Sequence, residues 1–250
     1  MNKPAKVLGI FEKAVNIWTE DGILTIAPKE TGRSSSCLTV NHINIPGLSI
    51  NVNCDCRPGQ ISLHTKTIDF SAAPVWHGRI DRAYKQKPAY EGIRILKAAL
   101  DRSAAKNSAK PNPGAALQLL NGIKNLPGDP EGSVPGLIGL GPGLTPSGDD
   151  MILGFLAAIN HFTDDEAYLN RLHNVVAAAL GATTELSAQI LKNALEYEYH
   201  EYIEDMLIAL AEPATAHSAA ARLLSMGSTS GTDIGTGMIK GVISCTTLQW

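Results

Sequence analysis

The segment "GLGPGLTPSGDDMILGF", residues 139–155, sets Gly139, Gly141 and Gly143 ahead of Thr145, Ser147, Gly148 and an acidic pair, Asp149 and Asp150. Glycines let the main chain come close to a ligand, and the unpaired N–H groups at a helix start attract phosphate or carboxylate. Ser147 and Asp150 have capping-box spacing, the serine on the N–H of the third helical position and the aspartate reaching back. That leaves Asp149 over, for an amide, a hydroxyl or Mg²⁺. A plain turn and cap accounts for Ser147 and Asp150 but not for the three glycines upstream. A carboxylate beside a bound anion repels it unless a metal or a neutral role intervenes. The expected arrangement is therefore phosphate or carboxylate held at Gly141, Gly143, Thr145, Ser147 and Gly148, with Asp149 and Asp150 as the catalytic pair. The pattern is not a P-loop, which needs a lysine where Asp149 stands. Nor is it a dinucleotide fingerprint, because no strand of a βαβ unit precedes it.

A second copy stands near the C-terminus. Ser147 to Gly154 reads "SGDDMILG" and Ser230 to Gly237 reads "SGTDIGTG", both Ser-Gly-x-Asp-x-x-x-Gly, at an offset of 83 residues. Two such starts either face each other across one pocket, which adds Ser230, Gly231 and Asp233 to the ligand set, or begin two independent helices. Ser230 and Asp233 repeat the capping-box spacing, and an aspartate in a first turn suits the helix dipole. Gly154 and Gly237, one turn further on, permit close helix packing.

Between the copies, "ATTELSAQILKNAL" (182–195) offers the hydroxyls of Thr183, Thr184 and Ser187. At these residues the chain resembles the AllH-type family. The long central motif carries most of the likeness, "ATTELSAQILKNAL" and "STSGTDIGTG" are similar to a second and a third family segment, and "VNIWTEDGILTIAP" adds a less specific match. The family includes a subunit of bacterial oxamate carbamoyltransferase, which interconverts oxalurate and phosphate with oxamate and carbamoyl phosphate and uses several different subunits. The resemblance implies a small-anion-binding subunit of a carbamoyltransferase-like enzyme of purine (allantoin) catabolism, a small anionic substrate and other protein subunits as partners. It assigns no catalytic residue. The alternative is a non-catalytic partner or ligand-sensing subunit of a metabolic complex. Carbamoyl transfer needs a bound phosphate, an oriented amide and stabilised charge on the carbonyl; an N–H cradle suits the first and last, and Thr145, Ser147, Thr183, Thr184 and Ser187 offer hydroxyl hydrogen bonds. Arg79 or Arg94 would neutralise substrate carboxylates.

The elements that must position these residues fall into two halves. Residues 1–75 read as β structure: an Asp21-Gly22 turn between apolar runs signals a hairpin, and alternating runs at Leu38–Val40, Ile43–Ile45, Ile50–Val52 and Ile61–Leu63 are broken at Pro46-Gly47 and Pro58-Gly59. Six or so short strands predict a small antiparallel sheet or barrel. Residues 76–250 turn helical. "YEGIRILKAALDRSAAK" carries a stripe of Ile93, Leu96 and Leu100, Thr163 and Glu166 have capping-box spacing, and 183–212 reads as one long helix or two joined ones. Two breaker-rich stretches, "SAKPNPG" and "LPGDPEGSVPG", flank a short helical piece around Leu117 to Ile123. The fold class is α+β, an N-terminal antiparallel sheet or small barrel followed by a mainly helical domain.

Composition narrows the partners. With 250 residues, 44% apolar, 18% charged and a net charge of -3, the chain gives no electrostatic reason to bind nucleic acid or an anionic membrane. Its longest apolar run, Met151 to Ile159, is far short of a membrane span. The run Val7 to Phe11 is too short for a secretory signal, and four cysteines without framework spacing suit a reducing cytoplasm. No metal site is assigned, and no cofactor beyond Mg²⁺ as an option. Cys54 and Cys56, on one face of a strand, read as small buried residues rather than ligands. Glu196, His200 and Glu204, at four-residue spacing, read as a solvated acidic face, and His77 beside Trp76 as structural.

Overall fold

The structure is a computed structural model that describes residues 3–78, 86–106 and 113–247. Two compact units divide the chain, Met1–Gly78 and Arg79–Trp250.

The first unit is a seven-stranded curled sheet, a half-barrel, built from β1 (Lys3–Ile10), β2 (Val15–Thr19), β3 (Gly22–Pro28), β4 (Cys37–Val40), β5 (Asn53–Arg57), β6 (Gln60–Leu63) and β7 (Lys66–Asp69). The strand order is β4-β3-β2-β1-β5-β6-β7. All pairs are antiparallel except β3 with β4. The hairpin expected at Asp21 and Gly22 is present one residue earlier: Thr19 pairs with Gly22, so Glu20 and Asp21 make the loop. The apolar runs at 43–45 and 50–52 form no strand. Ile43, Ile45 and Val52 still pack on the sheet core of Val7, Ile17, Ile26, Ile61 and Leu63. Their periodicity reports burial, and Pro46 between them removes a ladder donor. Burial pushes the Cys54 thiol up to about 11 and raises Cys56 as well, consistent with inert thiols.

The second unit is helical: α1 (Tyr90–Lys106), α2 (Pro113–Asn125), α3 (Pro130–Leu137), α4 (Ser147–Phe162), α5 (Glu166–Ala179), α6 (Glu185–Leu195), α7 (Glu201–Ala211), α8 (Ala216–Leu224) and α9 (Ser230–Thr247). The stretch "LPGDPEGSVPG", read as a breaker, contains α3. Pro130 sits at its first position and the Asp129 side chain accepts the Gly132 N–H at 2.9 Å, a start signal that outweighs the glycines. The cap of α5 is Asp165, accepting from Tyr168 N, and not Thr163, whose hydroxyl accepts the Asp165 N–H instead. Residues 183–212 hold two helices, α6 and α7, separated at Tyr197, which takes φ +65°.

Helix α4 is the centre of this unit. Every residue from Gly148 to Phe162 is buried. An apolar stretch without a polar face has to be covered on all sides, and α9 covers most of one side. Gly154 faces Gly237. A Cβ on Gly154 would stand 1.9 Å from the Ile234 carbonyl oxygen, and one on Gly237 2.0 Å from that of Met151. These are equivalent contacts at the 83-residue offset, so a local two-fold relates the two helices, which run parallel with their N-termini together. No helix among the described residues is long and apolar enough to cross a membrane.

Candidate functional site

The two Ser-Gly-x-Asp copies converge. Ser147 and Ser230 are the first residues of α4 and α9, each one place later than a cap residue. The N–H groups of Asp149 and Asp150 donate to Pro146 O, and those of Thr232 and Asp233 to Thr229 O, in matching geometry. Neither serine caps its own helix in the way the spacing suggests. Pro146 caps α4 without any side-chain bond. The serines serve the opposite helix: Ser230, with Thr145, hydrogen-bonds Asp150, and Ser147, with Thr229, hydrogen-bonds Asp233. Thr145 Oγ1 and Ser230 Oγ lie 3.1 Å apart and close the arrangement. Thr229 has no place in the capping-box pattern, although its bond to Asp233 is local, four places along the start of the same helix.

Two parallel helix N-termini side by side concentrate positive potential, and acids in the first turns offset it. Here the offset is incomplete. Burial pushes the Asp150 carboxyl up to about 7, and the charges of Asp233 and Asp149 add to the rise against the hydroxyls of Ser230 and Thr145. Burial also raises Asp233, opposed by Ser147 and Thr229. Oδ2 of each is buried without a hydrogen-bond partner among the described residues. A carboxyl that is partly protonated does not drive an anion away as a full carboxylate does.

Asp149 is not left over for a ligand, and this corrects the expectation. It is 1% exposed; its Oδ1 accepts the Gly139 N–H at 2.7 Å, and its Oδ2 accepts the hydroxyls of Thr183 and, at 2.7 Å, Ser187. A side chain between a glycine turn and the start of α6 is a better use of that acid than a solvent-facing ligand, because the turn needs an acceptor where no helix bond is available. Thr183 and Ser187 are thus spent on Asp149. Thr184 caps α6, accepting from Ser187 N at 3.1 Å while donating to Leu144 O at 2.5 Å. Together these residues fix both ends of the glycine loop. Asp149→Asn, which turns an acceptor into a donor in front of two hydroxyls, is expected to cost about 2 kcal/mol in thermal or urea unfolding. An unchanged midpoint would show that the clamp contributes nothing.

The loop itself is open. Gly139, Gly141 and Gly143 all take positive φ, from +72° to +127°, and a Cβ on Gly141 would meet Ser147 N at 2.8 Å. Only glycine lets the chain curl back onto the start of α4 in this way. The Gly148 N–H is occupied by Leu140 O. The N–H groups of Gly141, Gly143, Leu144, Thr145 and Ser147 have no acceptor among the described residues. Of the remaining expected residues, Gly231 is tight against Leu223, where a Cβ would lie 2.0 Å from its carbonyl oxygen, and its N–H donates to Met226 O. Arg94 is on α1, paired with Glu91 at 2.6 Å, and Arg79 lies outside the described residues. His200 caps α7 by accepting from Tyr202 N, so Glu196, His200 and Glu204 do not share one helix. No group of three His, Cys, Asp or Glu among the described residues is placed to hold a metal ion.

Residues 137–242 match the model of the oxamate carbamoyltransferase subunit AllH family. The AllH match begins where α3 ends and stops inside α9, so it takes in the glycine loop, the Thr183–Ser187 clamp and both Ser-Gly-x-Asp copies. The matched residues run through α4 to α8 and into α9, and so include the α4–α9 pair. No curated protein and no solved structure matches the chain.

Proposed function

We propose that this chain is the small-anion-binding subunit of a carbamoyltransferase-like enzyme of the oxamate, oxalurate and carbamoyl phosphate type. The observation that carries the reading is the row of N–H groups on Gly141, Gly143, Leu144, Thr145 and Ser147 without acceptors, at the point where two helix N-termini converge. A phosphate or carboxylate takes these donors, and Gly148 and Gly231 serve only to bring the backbone close. Asp150, with Oδ2 unpartnered, faces the amide nitrogen of the substrate. In carbamoyl transfer the amide nitrogen of oxamate forms a bond to the carbamoyl carbon, the bond from that carbon to the phosphate oxygen breaks, and phosphate leaves with the electron pair. The proton released from nitrogen goes to the Asp150 carboxylate, whose pKa of about 7 suits a group that must take and return a proton near neutrality. Asp149, Thr183, Thr184 and Ser187 position the loop. Mg²⁺, if used, is brought by the phosphate. The family description, a subunit, implies further protein subunits as partners. The other reading, a ligand-sensing subunit without chemistry, draws on the burial of Asp150, which is only 4% exposed.

Leu144 lies on the open side of the loop, 36% exposed. A charge there, at roughly 7 Å from a bound anion in a half-wet site, changes binding by about 1 kcal/mol, or about fivefold. Leu144→Glu is expected to weaken binding of phosphate and oxamate by that factor, and Leu144→Lys to tighten it, with unchanged melting temperatures of the ligand-free proteins. Thermal shift against ligand concentration reads both. Equal affinities in the two variants would remove the loop as the anion site.

A further inference from the structure

Resting on that reading, we infer that the glycine loop selects anions that also carry a hydrogen on a nitrogen or oxygen, rejecting isosteres that only accept, and that the unpartnered oxygen of Asp150 makes the choice. Donors and acceptor stand side by side. The N–H groups of Gly141, Gly143, Leu144, Thr145 and Ser147 have no acceptor among the described residues. Thr145 belongs to that row, and its hydroxyl bonds to the Asp150 carboxyl, as does that of Ser230 from the start of α9. The two hydroxyl oxygens lie 3.1 Å apart, so both bonds arrive from one side. Oδ2 is left buried without a partner, on a residue that is only 4% exposed. The neighbouring acid takes no part, because Asp149 is already held by Gly139, Thr183 and Ser187.

A buried oxygen without a donor is destabilising, most of all on a carboxylate. A ligand that brings an N–H or O–H to Oδ2 relieves it. A ligand that brings only lone pairs sets a second oxygen against Oδ2, a repulsive element that works against binding. The charges that act on Asp150 among the described residues, Asp233 on α9 and Asp149 on its own helix, are both negative and add to that repulsion. Hydrogen phosphate, oxamate, oxalurate and carbamoyl phosphate each carry the required hydrogen, so every reactant of the proposed transfer is admitted. Sulfate matches hydrogen phosphate in shape and charge but has no hydrogen, and oxalate has an oxygen where oxamate has NH₂. Protonation reverses the rule, because a neutral carboxyl donates and so accepts either kind of ligand. Burial pushes this carboxyl up to about 7, which places the reversal near neutrality.

Equilibrium dialysis of the full chain with labelled phosphate, sulfate and oxamate, at pH 8 and pH 5 and constant ionic strength, tests the inference. At pH 8 the wild type is expected to bind phosphate on the order of 100-fold more tightly than sulfate, since a ligand lacking the hydrogen leaves a buried polar group unpaired. At pH 5 that ratio should shrink to about fivefold or less, because the protonated carboxyl donates to both anions. Asp150→Asn, which turns either its oxygen or its NH₂ to the ligand, should show the small ratio at both pH values, with its melting temperature confirming the fold. If that variant does not fold, the wild-type ratio at the two pH values decides. Equal binding of phosphate and sulfate by the wild type at pH 8, a ratio unchanged at pH 5, or a wild-type ratio in Asp150→Asn overturns the selection by Asp150 and leaves the proposed function standing. No bound phosphate or oxamate in the wild type at either pH overturns both.

Discussion

Gly154→Ala is expected to lower the melting temperature of the helical unit by about 10 °C. The added methyl would stand 1.9 Å from the Ile234 carbonyl oxygen and 2.9 Å from Met238 N. Both obstacles are backbone, so no rotamer change relieves the clash, and α4 and α9 must move apart by more than 1 Å. Alanine is the better helix former by about 1 kcal/mol, but overpacking in a closed core costs about 1–3 kcal/mol and more where nothing yields. Moving α9 also loosens the contacts of Phe155, Ala158 and Val242, all buried. A net loss of about 3 kcal/mol corresponds to that fall in a unit of this size. Gly237→Ala should behave alike, since its methyl would meet Met151 O at 2.0 Å. The double variant should fall far short of the sum, because the first substitution already opens the crossing that the second needs. Gly136→Ala, with nothing within 4 Å of its Cβ, is the control and should be neutral or stabilising. Additive losses at 154 and 237, or none, would mean that the two glycines do not share one contact.

Asp150→Asn should make the protein more stable above neutral pH and remove most of the dependence of its stability on pH between about 4 and 7. Burial raises this carboxyl from 3.8 to about 7 in the folded chain. Between those values the native state holds a proton that the unfolded state has lost, so stability falls as pH rises through the window. A shift of about three pKa units is on the order of 4 kcal/mol, present in full below the unfolded pKa and gone above the folded one. Asparagine keeps an oxygen for the Ser230 and Thr145 hydroxyls and carries no charge. Asp233, also raised by burial, leaves a smaller slope of the same sign. His161 works in the other direction: burial lowers its pKa, so stability is lost as pH falls from the unfolded value of 6.5. Unfolding curves of wild type and Asp150→Asn at pH 4, 5, 6, 7 and 8 isolate Asp150 as the difference between them. Parallel curves would mean that this carboxyl titrates normally. If the chain performs the proton transfer proposed for it, the same variant binds phosphate and oxamate yet shows no turnover in the assembled enzyme.

Much of this was legible in the chain itself. The Asp21-Gly22 turn, the period-two runs before residue 75 and the apolar run from Met151 to Ile159 encode local preferences, and local preferences survive into the fold. They led to a β unit and a helical unit; that α4 is covered on all sides is visible only in the fold. The repeat at 83 residues also pointed at the correct pair of helix starts. Its internal pairing did not follow, because a serine three places before an aspartate satisfies two geometries, within one helix or across two. Only the Gly154–Gly237 crossing, which presses the helices together at their N-terminal ends, selects the second. The same contact decides which acid is spent. Asp149 and Asp150 are neighbours of identical type, and a turn of about 100° along the helix sends one to Gly139, Thr183 and Ser187 and the other to the seam with α9. The sequence by itself determined the division into a β-rich and a helical half and the two helix starts that pair. The tertiary structure decided which carboxyl has an unpartnered oxygen, because burial and partners come from chains of residues far apart in sequence.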